Sequence, residues 1–286
     1  YLGVQKVLAG RLSIGEFVAL QSYIFLVQQP MLELGVIISE WQRARASLDR
    51  VVHTLAQNEA PGLREGGNDL AVAPLVFELK NLTFQHRGSE QPIIVNLNFQ
   101  LERGRRLGIR GPIGSGKSSL IEILSGLERN FSGEVKLFGA DIRSYSHSTL
   151  RALMAVVPQK PFLFGDTVRA NMTLNNTLSD DEIWHWLNTA GVKEDIAALP
   201  DGLDTRLGEW GVNLSGGQKQ RLTLARALAR RPTVLCLDDC LSAVDTVTEE
   251  RILSNLDHEL KDSTLVWVAH RASTLKYCTD FLEMST

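Results

Sequence analysis

Lys117 and Ser118 close the run GPIGSGKS, residues 111–118. The spacing is G-x-x-x-x-G-K-[ST], a pattern that builds a phosphate-holding loop. Glycines let successive backbone N–H groups turn inward onto an anion, and a helix that starts where the loop ends adds its positive end. In such a loop Lys117 reaches the β- and γ-phosphates of a nucleotide, and the Ser118 hydroxyl sits on Mg²⁺. Gly111, Pro112, Ile113, Gly114, Ser115 and Gly116 supply the cradle, and Ser119 the first turn of the helix. The competing reading is an ordinary Gly-rich turn, and the rest of the chain must decide between the two.

Hydrolysis of a nucleotide needs a carboxylate on the metal side, at the end of a buried strand. The run Leu235-Cys236-Leu237-Asp238 has that form, and Asp239 follows it. A strand-terminal Asp also forms turns. At this separation after a phosphate loop, a role on Mg²⁺, through water, is the preferred reading of Asp238.

These side chains need elements to position them. Leu107-Gly108-Ile109 ends an apolar-leaning stretch before the loop, and residues 118–124 read as a helix. Residues 76–84 and 93–101 read as strands, the second alternating at Leu97, Phe99 and Leu101. Ser132-Gly133 marks a turn before a short strand over 134–138, and residues 154–157 read as a buried strand that ends at Pro158-Gln159. Helical patterns cover 180–190, 218–230 and 253–260, with breaks at Pro200-Asp201-Gly202 and over 208–217. The apolar runs 233–238 and 264–269 read as buried strands, the second as the last of the chain. Strands alternating with helices predict an α/β fold around a parallel sheet.

Composition sets the outer bounds. A chain of 286 residues with 44% hydrophobic and 22% charged residues is ordinary for a globular protein. A net charge of −3 gives no electrostatic case for nucleic acid as a partner. The three cysteines, Cys236, Cys240 and Cys278, have no zinc spacing and read as free thiols, with Cys236 in a buried strand. The chain does not begin with Met and shows no basic region followed by a cleavage site, so it reads as a piece of something longer.

Residues 1–56 differ from the rest. Between residues 17 and 39 the only charge is Glu33, a length that spans a bilayer as a helix. Gln21, Ser22, Gln28, Gln29 and Pro30 interrupt it, and a buried amphipathic helix is the alternative. Arg43, Arg45 and Arg50 follow, as on a cytoplasmic flank. Residues 57–74, with Pro61-Gly62 and Gly66-Gly67, read as a linker.

Leu214-Ser215-Gly216-Gly217-Gln218, running into Lys219-Gln220-Arg221, resembles the LSGGQ signature of the ATP-binding cassette family. A flexible turn does not account for five matching positions about 100 residues after the phosphate loop and just before the carboxylate strand. In physical terms, Ser215 and the glycine N–H groups at a helix start offer a second anion site. The resemblance implies that this site faces the γ-phosphate held by a second nucleotide-binding domain, with ATP between the two. It implies further that Gln159 touches the metal and the γ-phosphate, that Ser242-Ala243-Val244-Asp245 crosses to the opposite site, and that His270 bonds the γ-phosphate as a switch. Gly208-Glu209-Trp210-Gly211 is similar to the loop that meets intracellular helices in exporters. Ser13-Ile14-Gly15-Glu16-Phe17 and Pro30-Met31 resemble the last membrane helix of exporter-type transporters.

The implied architecture is a P-loop NTPase (RecA-like) core with an antiparallel β subdomain and an α-helical subdomain, after a long transmembrane and cytoplasmic helix. Residues 75–286 form its nucleotide-binding domain, ending before the family's closing helices. ATP and Mg²⁺ are the implied cofactors, transmembrane helices and a second nucleotide-binding domain the implied partners, and a membrane the implied location. Two departures stand out. The family's usual water-polarising Glu is Asp239 here, one methylene shorter, which predicts intact binding, slow hydrolysis and a different partner chain. The position matching the Tyr that the family stacks on adenine is His86, which reads either as a stacking imidazole or as a solvent-facing loop histidine.

Overall fold

The computed structural model describes residues 2–56, 73–174, 177–268 and 271–285. The chain divides into two compact units, residues 1–61 and 62–286.

The first unit holds α1 (Leu2–Leu8) and α2 (Ile14–Leu55). Ser13 starts α2 with a reciprocal cap. Its hydroxyl accepts from the Glu16 N–H at 3.1 Å, and the Glu16 carboxylate accepts from the Ser13 N–H at 2.8 Å. Pro30 lies inside the helix without ending it. At about 1.5 Å per residue, 42 residues reach about 63 Å, roughly twice a bilayer's hydrocarbon core. Among the described residues, α2 is the one helix long and apolar enough to cross a membrane. None of its described residues is buried.

The second unit runs β1 (Leu75–Phe84), β2 (Ile94–Glu102), β3 (Arg106–Arg110), α3 (Lys117–Leu124), β4 (Ser132–Leu137), β5 (Ala140–Asp141), α4 (His147–Leu153) and β6 (Met154–Val157). It continues with α5 (Val168–Thr173), α6 (Asp180–Thr189), α7 (Lys193–Ala197), α8 (Gly216–Leu228), β7 (Val234–Asp238), α9 (Thr246–Glu259), β8 (Thr264–Val268), α10 (Ala272–Leu275) and β9 (Asp280–Glu283). Strands β2-β1-β4-β5 form an antiparallel sheet. Strands β6-β7-β8-β3-β9 form a parallel one. The strand over 264–268 is therefore not the last. β9 follows and closes the edge beside β3, a short strand of alternating exposure.

The parallel strands read as unbroken apolar runs because both faces are covered. On β7, Val234 and Cys236 enter one hydrophobic core together with β1, β4 and α3, while Leu235 and Leu237 enter another together with α6, α8 and α9. β8 divides the same way, with Val266 and Val268 on the first side and Leu265 and Trp267 on the second. Cys236 and Cys240 are buried free thiols, and Cys278 is half-buried. Burial pushes the Cys236 thiol up to about 12 and Cys278 to about 11.

Candidate functional site

A parallel sheet gathers function at the carboxyl ends of its strands. β3 ends into the phosphate loop, β6 into Gln159, β7 into Asp238 and Asp239, and β8 at Val268. Ile113, Gly114 and Gly116 of the loop and Lys117, Ser118 and Ser119 of α3 meet Gln159, Asp238 and Asp239 around a cleft of about 220 Å³. Five separate expectations from the sequence thus converge on one place: Lys117, Ser118, Gln159, Asp238 and Asp239. His270 lies outside the described residues, as do residues 57–72 of the expected linker.

The loop turns through left-handed backbone at Gly111 (φ 151°), Gly114 (φ 85°) and Gly116 (φ 86°). At Gly111 a Cβ would lie 2.4 Å from the Met284 carbonyl oxygen and 2.7 Å from Ser115 Oγ, so no larger residue fits. Lys117 is buried, and its Nζ donates to the carbonyls of Gly111 at 2.9 Å and Pro112 at 2.6 Å. The ammonium group ties the loop across its own mouth. Helix α3 begins without a side-chain cap, at Gly116.

Asp238 is 8% exposed and Gln159 is exposed. Gln159 Nε2 donates to Asp239 Oδ2 at 3.4 Å. Asp239 itself sits in left-handed backbone (φ 45°), a region Asp enters more easily than most residues. Its N–H donates to the Val268 carbonyl at 3.1 Å, which fixes it against the end of β8. Ser118 and Asp238 offer hard oxygen donors on one cleft, a set that suits Mg²⁺ completed by water and phosphate oxygens. No group of three or more His, Cys, Asp or Glu among the described residues forms a metal cage of its own.

His86 is held by the first turn of α3. Its Nε2 lies 3.0 Å from Ser119 Oγ, and its ring meets Phe84 edge-on with centroids 4.9 Å apart. The resemblance pointed to His86, but the grip of Ser119 had no sequence signal.

Ser215 begins α8 in a reciprocal cap. Its hydroxyl accepts from the Gln218 N–H at 3.3 Å, and Gln218 Oε1 accepts from the Ser215 N–H at 2.8 Å. The pattern Ser-x-x-Gln was legible as a capping box. At Gly217 a Cβ would lie 2.8 Å from the Ala243 carbonyl oxygen, so the signature glycine is required by the turn packed on it. Gly216 faces Ala243 at an ordinary distance.

Around Gly208–Gly211, Trp210 holds left-handed backbone (φ 58°) and is 65% exposed. Its ring meets Phe162 edge-on at 5.0 Å, and Phe162 meets Phe164 at 4.9 Å. Phe162 and Phe164, a few residues beyond Gln159, thus cluster with Trp210, and all three are exposed.

A family model described as "ABC transporter" matches residues 94–242, just over half of the chain. The multidrug resistance-like ATP-binding protein MdlA of Escherichia coli (strain K12) is 37% identical over 286 residues, covering 99% of this chain and 48% of that protein. An ATP-dependent lipid A-core flippase of Vibrio vulnificus (strain CMCP6) is 34% identical over 284 residues, with 99% and 48% coverage. A solved structure of a bacterial Atm1-family ABC exporter with ATP bound superposes with a TM-score of 0.73 at 28% identity, over 99% of this chain and 50% of that one. The chain spans about half the length of these relatives. Phosphate loop, signature, carboxylate strand and family match agree: this chain belongs to the ABC transporter family.

Proposed function

We propose that this chain is the ATP-binding and ATP-hydrolysing part of an ABC exporter, joined to the end of its membrane domain. Residues 1–56 are the last membrane helix with its cytoplasmic extension, 57–74 the linker, and 75–286 the nucleotide-binding domain on the cytoplasmic side. The observation that carries the reading is the convergence of Lys117, Ser118, Gln159, Asp238 and Asp239 on one cleft at the strand ends.

In this reading the loop N–H groups and Lys117 hold the phosphates, and Ser118, Gln159 and Asp238 hold Mg²⁺. The metal, when bound, neutralises charge on the phosphate oxygens. Asp239 orients the attacking water and His270 bonds the γ-phosphate. Ser215, Gly216, Gly217 and Gln218 close over ATP held by a second nucleotide-binding domain. ATP then draws two domains together, hydrolysis parts them, and the motion leaves through the surface near Gln159 and Glu209. The accessible Phe162, Phe164 and Trp210 there support a contact surface.

Asp239 favours a second reading, a nucleotide-binding regulatory half with little turnover. Its carboxylate is one methylene short, and a displacement of about 1 Å in a positioned group costs on the order of 100-fold in rate. A different partner chain then supplies a Glu at this position, and its ATP uses the LSGGQ of this chain. A soluble cassette ATPase is disfavoured by α2. Asp239→Glu separates the cases in the assembled transporter. We expect ATP hydrolysis at this chain's own site to rise about ten-fold or more, even after a backbone cost of about 1 kcal/mol for Glu in left-handed conformation. An unchanged rate with the site occupied by ATP counts against the slow-site reading. A fully active homodimer of this chain sinks the two-chain reading.

A further inference from the structure

The turn that carries Asp239 is held from two sides by residues that the site so far does not use. Ser242 Oγ donates to the Asp239 carbonyl at 3.0 Å, and the Ser242 N–H donates to the same oxygen at 3.3 Å. On one side stands Gln220, two residues after Gln218 on α8 and 5% exposed. Its Nε2 donates to Ser242 Oγ at 3.2 Å, and its Oε1 accepts from the Ala243 N–H at 3.0 Å. On the other side Arg271 donates to the carbonyls of Ser242 at 3.1 Å and Val244 at 2.9 Å. Arg271 is in turn paired with Glu249, a fully buried carboxylate that also accepts from Ser273 at 2.9 Å and Thr274 at 2.7 Å.

A buried glutamine amide costs free energy unless both of its ends are bonded. Here both ends are spent on one turn. That turn holds a non-glycine residue in left-handed backbone, and its carboxylate points to Gln159. The bonds run in series, from the Gln220 amide to the Ser242 hydroxyl to the Asp239 carbonyl. Gln220 also sits on the helix that Ser215 begins. We infer that Gln220 is a positioning residue: through Ser242 it fixes the direction of the Asp239 carboxylate, and so couples the start of the signature helix to the reaction site of the same chain. The inference rests on the ATP reading above.

The chemistry of the relay supplies the test. Gln220→Glu keeps an acceptor for the Ala243 N–H but loses the donor to Ser242. The Ser242 proton then turns to the new carboxylate and leaves the Asp239 carbonyl. Ser242→Ala removes the relay. Ser242→Thr keeps the hydroxyl, and the accessible side chain leaves room for a methyl group. The measurement is steady-state ATP hydrolysis by the full-length protein with its partner subunit, the partner's own hydrolytic site being inactivated, read as kcat and KM separately. We expect Gln220→Glu and Ser242→Ala each to lower kcat about ten-fold with KM within about two-fold, the signature of a group that acts only in the reaction. The double variant should fall no further than the worse single one, whereas independent sites would give about 100-fold. Ser242→Thr should recover most of the turnover lost in Ser242→Ala.

Additive losses, equal losses in Ser242→Ala and Ser242→Thr, unaltered singles, or a rise in KM at constant kcat would each overturn the coupling. ATP binding by the unsubstituted protein, with Lys117→Ala beside it, is the separate control. If the unsubstituted protein binds no ATP, the ATP reading fails. If it binds ATP and Lys117→Ala weakens that binding, while the Gln220 and Ser242 variants turn over as wild type, the coupling alone fails.

Discussion

The two helix starts expected to face phosphate are built in opposite ways. Helix α3 begins at Gly116 in left-handed backbone, with no side chain on its first N–H groups. Helix α8 begins at Ser215, with a hydroxyl and a glutamine carbonyl already bonded to its first turn. The first leaves its orphan donors for a ligand and ties itself together from within, through Lys117. The second bonds two of its donors itself, the N–H groups of Ser215 and Gln218. That difference suits the roles proposed above, a site for nucleotide in this chain and a site that meets nucleotide held by a second domain.

Substitutions can break or sharpen the contrast. The largest effect belongs to Lys117→Ala. It removes a charge-assisted contact and uncovers the carbonyls of Gly111 and Pro112, so ATP affinity should weaken about 100-fold in a fluorescent-nucleotide titration. Comparable affinity would mean that the open α3 start holds phosphate without the lysine.

Next comes Glu249→Gln, behind the turn that packs on α8. Burial works to raise the Glu249 pKa, but bonds from Arg271, Thr274 and Ser273 outweigh it and hold the value below the ordinary 4.5. A carboxylate with a depressed folded pKa stabilises above its unfolded pKa and loses that contribution as pH falls through the folded one. The variant should cost about 2 kcal/mol at neutral pH, discounted for the accessible part of Arg271. The gap to wild type should close below about pH 4.5, as read by urea unfolding across pH. A gap that persists at pH 3 would assign the loss to packing instead.

Ser215→Ala is smaller. Loss of the cap costs about 1 kcal/mol, or roughly 2–4 °C in melting temperature for a domain of this size. ATP affinity at the phosphate loop should not move, while ATP-driven association of the two domains should weaken. A fall in affinity would erase the distinction between the two helix starts. The smallest effect is expected for His86→Ala, about three-fold weaker ATP binding from the loss of a modest stacking surface. No change would leave His86 as a brace for Ser119 alone.

Much of the site was legible because it is local. The phosphate loop is one short run with its helix, and the signature is another. The β7 and β8 strands announce themselves because their residues feed two cores, which removes any polar alternation. What was not legible depends on partners far apart in the chain. β9 is four residues long and gains its register from β3, some 170 positions earlier. The Gln220–Ser242 bond joins helix and turn across 22 positions, and the hold of Ser119 on His86 spans 33. No periodicity records such pairs. Pro30 misled in the other direction: it reads as an interruption, yet the 42-residue α2 continues through it to Leu55, since one lost backbone bond is small against so long a helix.

The free thiols have a practical consequence. Cys236 is buried at its strand, and with its pKa near 12 it carries almost no thiolate at neutral pH. Cys240 is as deeply buried and is pushed higher still, burial first and the neighbouring Asp239 and Asp238 charges after it. Cys278, at about 11, would be ionised in about one molecule in ten thousand at pH 7. Maleimide and other thiolate-seeking dyes should therefore pass over the native cysteines. A single cysteine introduced on an accessible surface, for instance beside Trp210 or at the exposed end of α9, can be labelled against a silent background. Distance changes on ATP binding then become readable by fluorescence without first rebuilding the strand that carries Asp238.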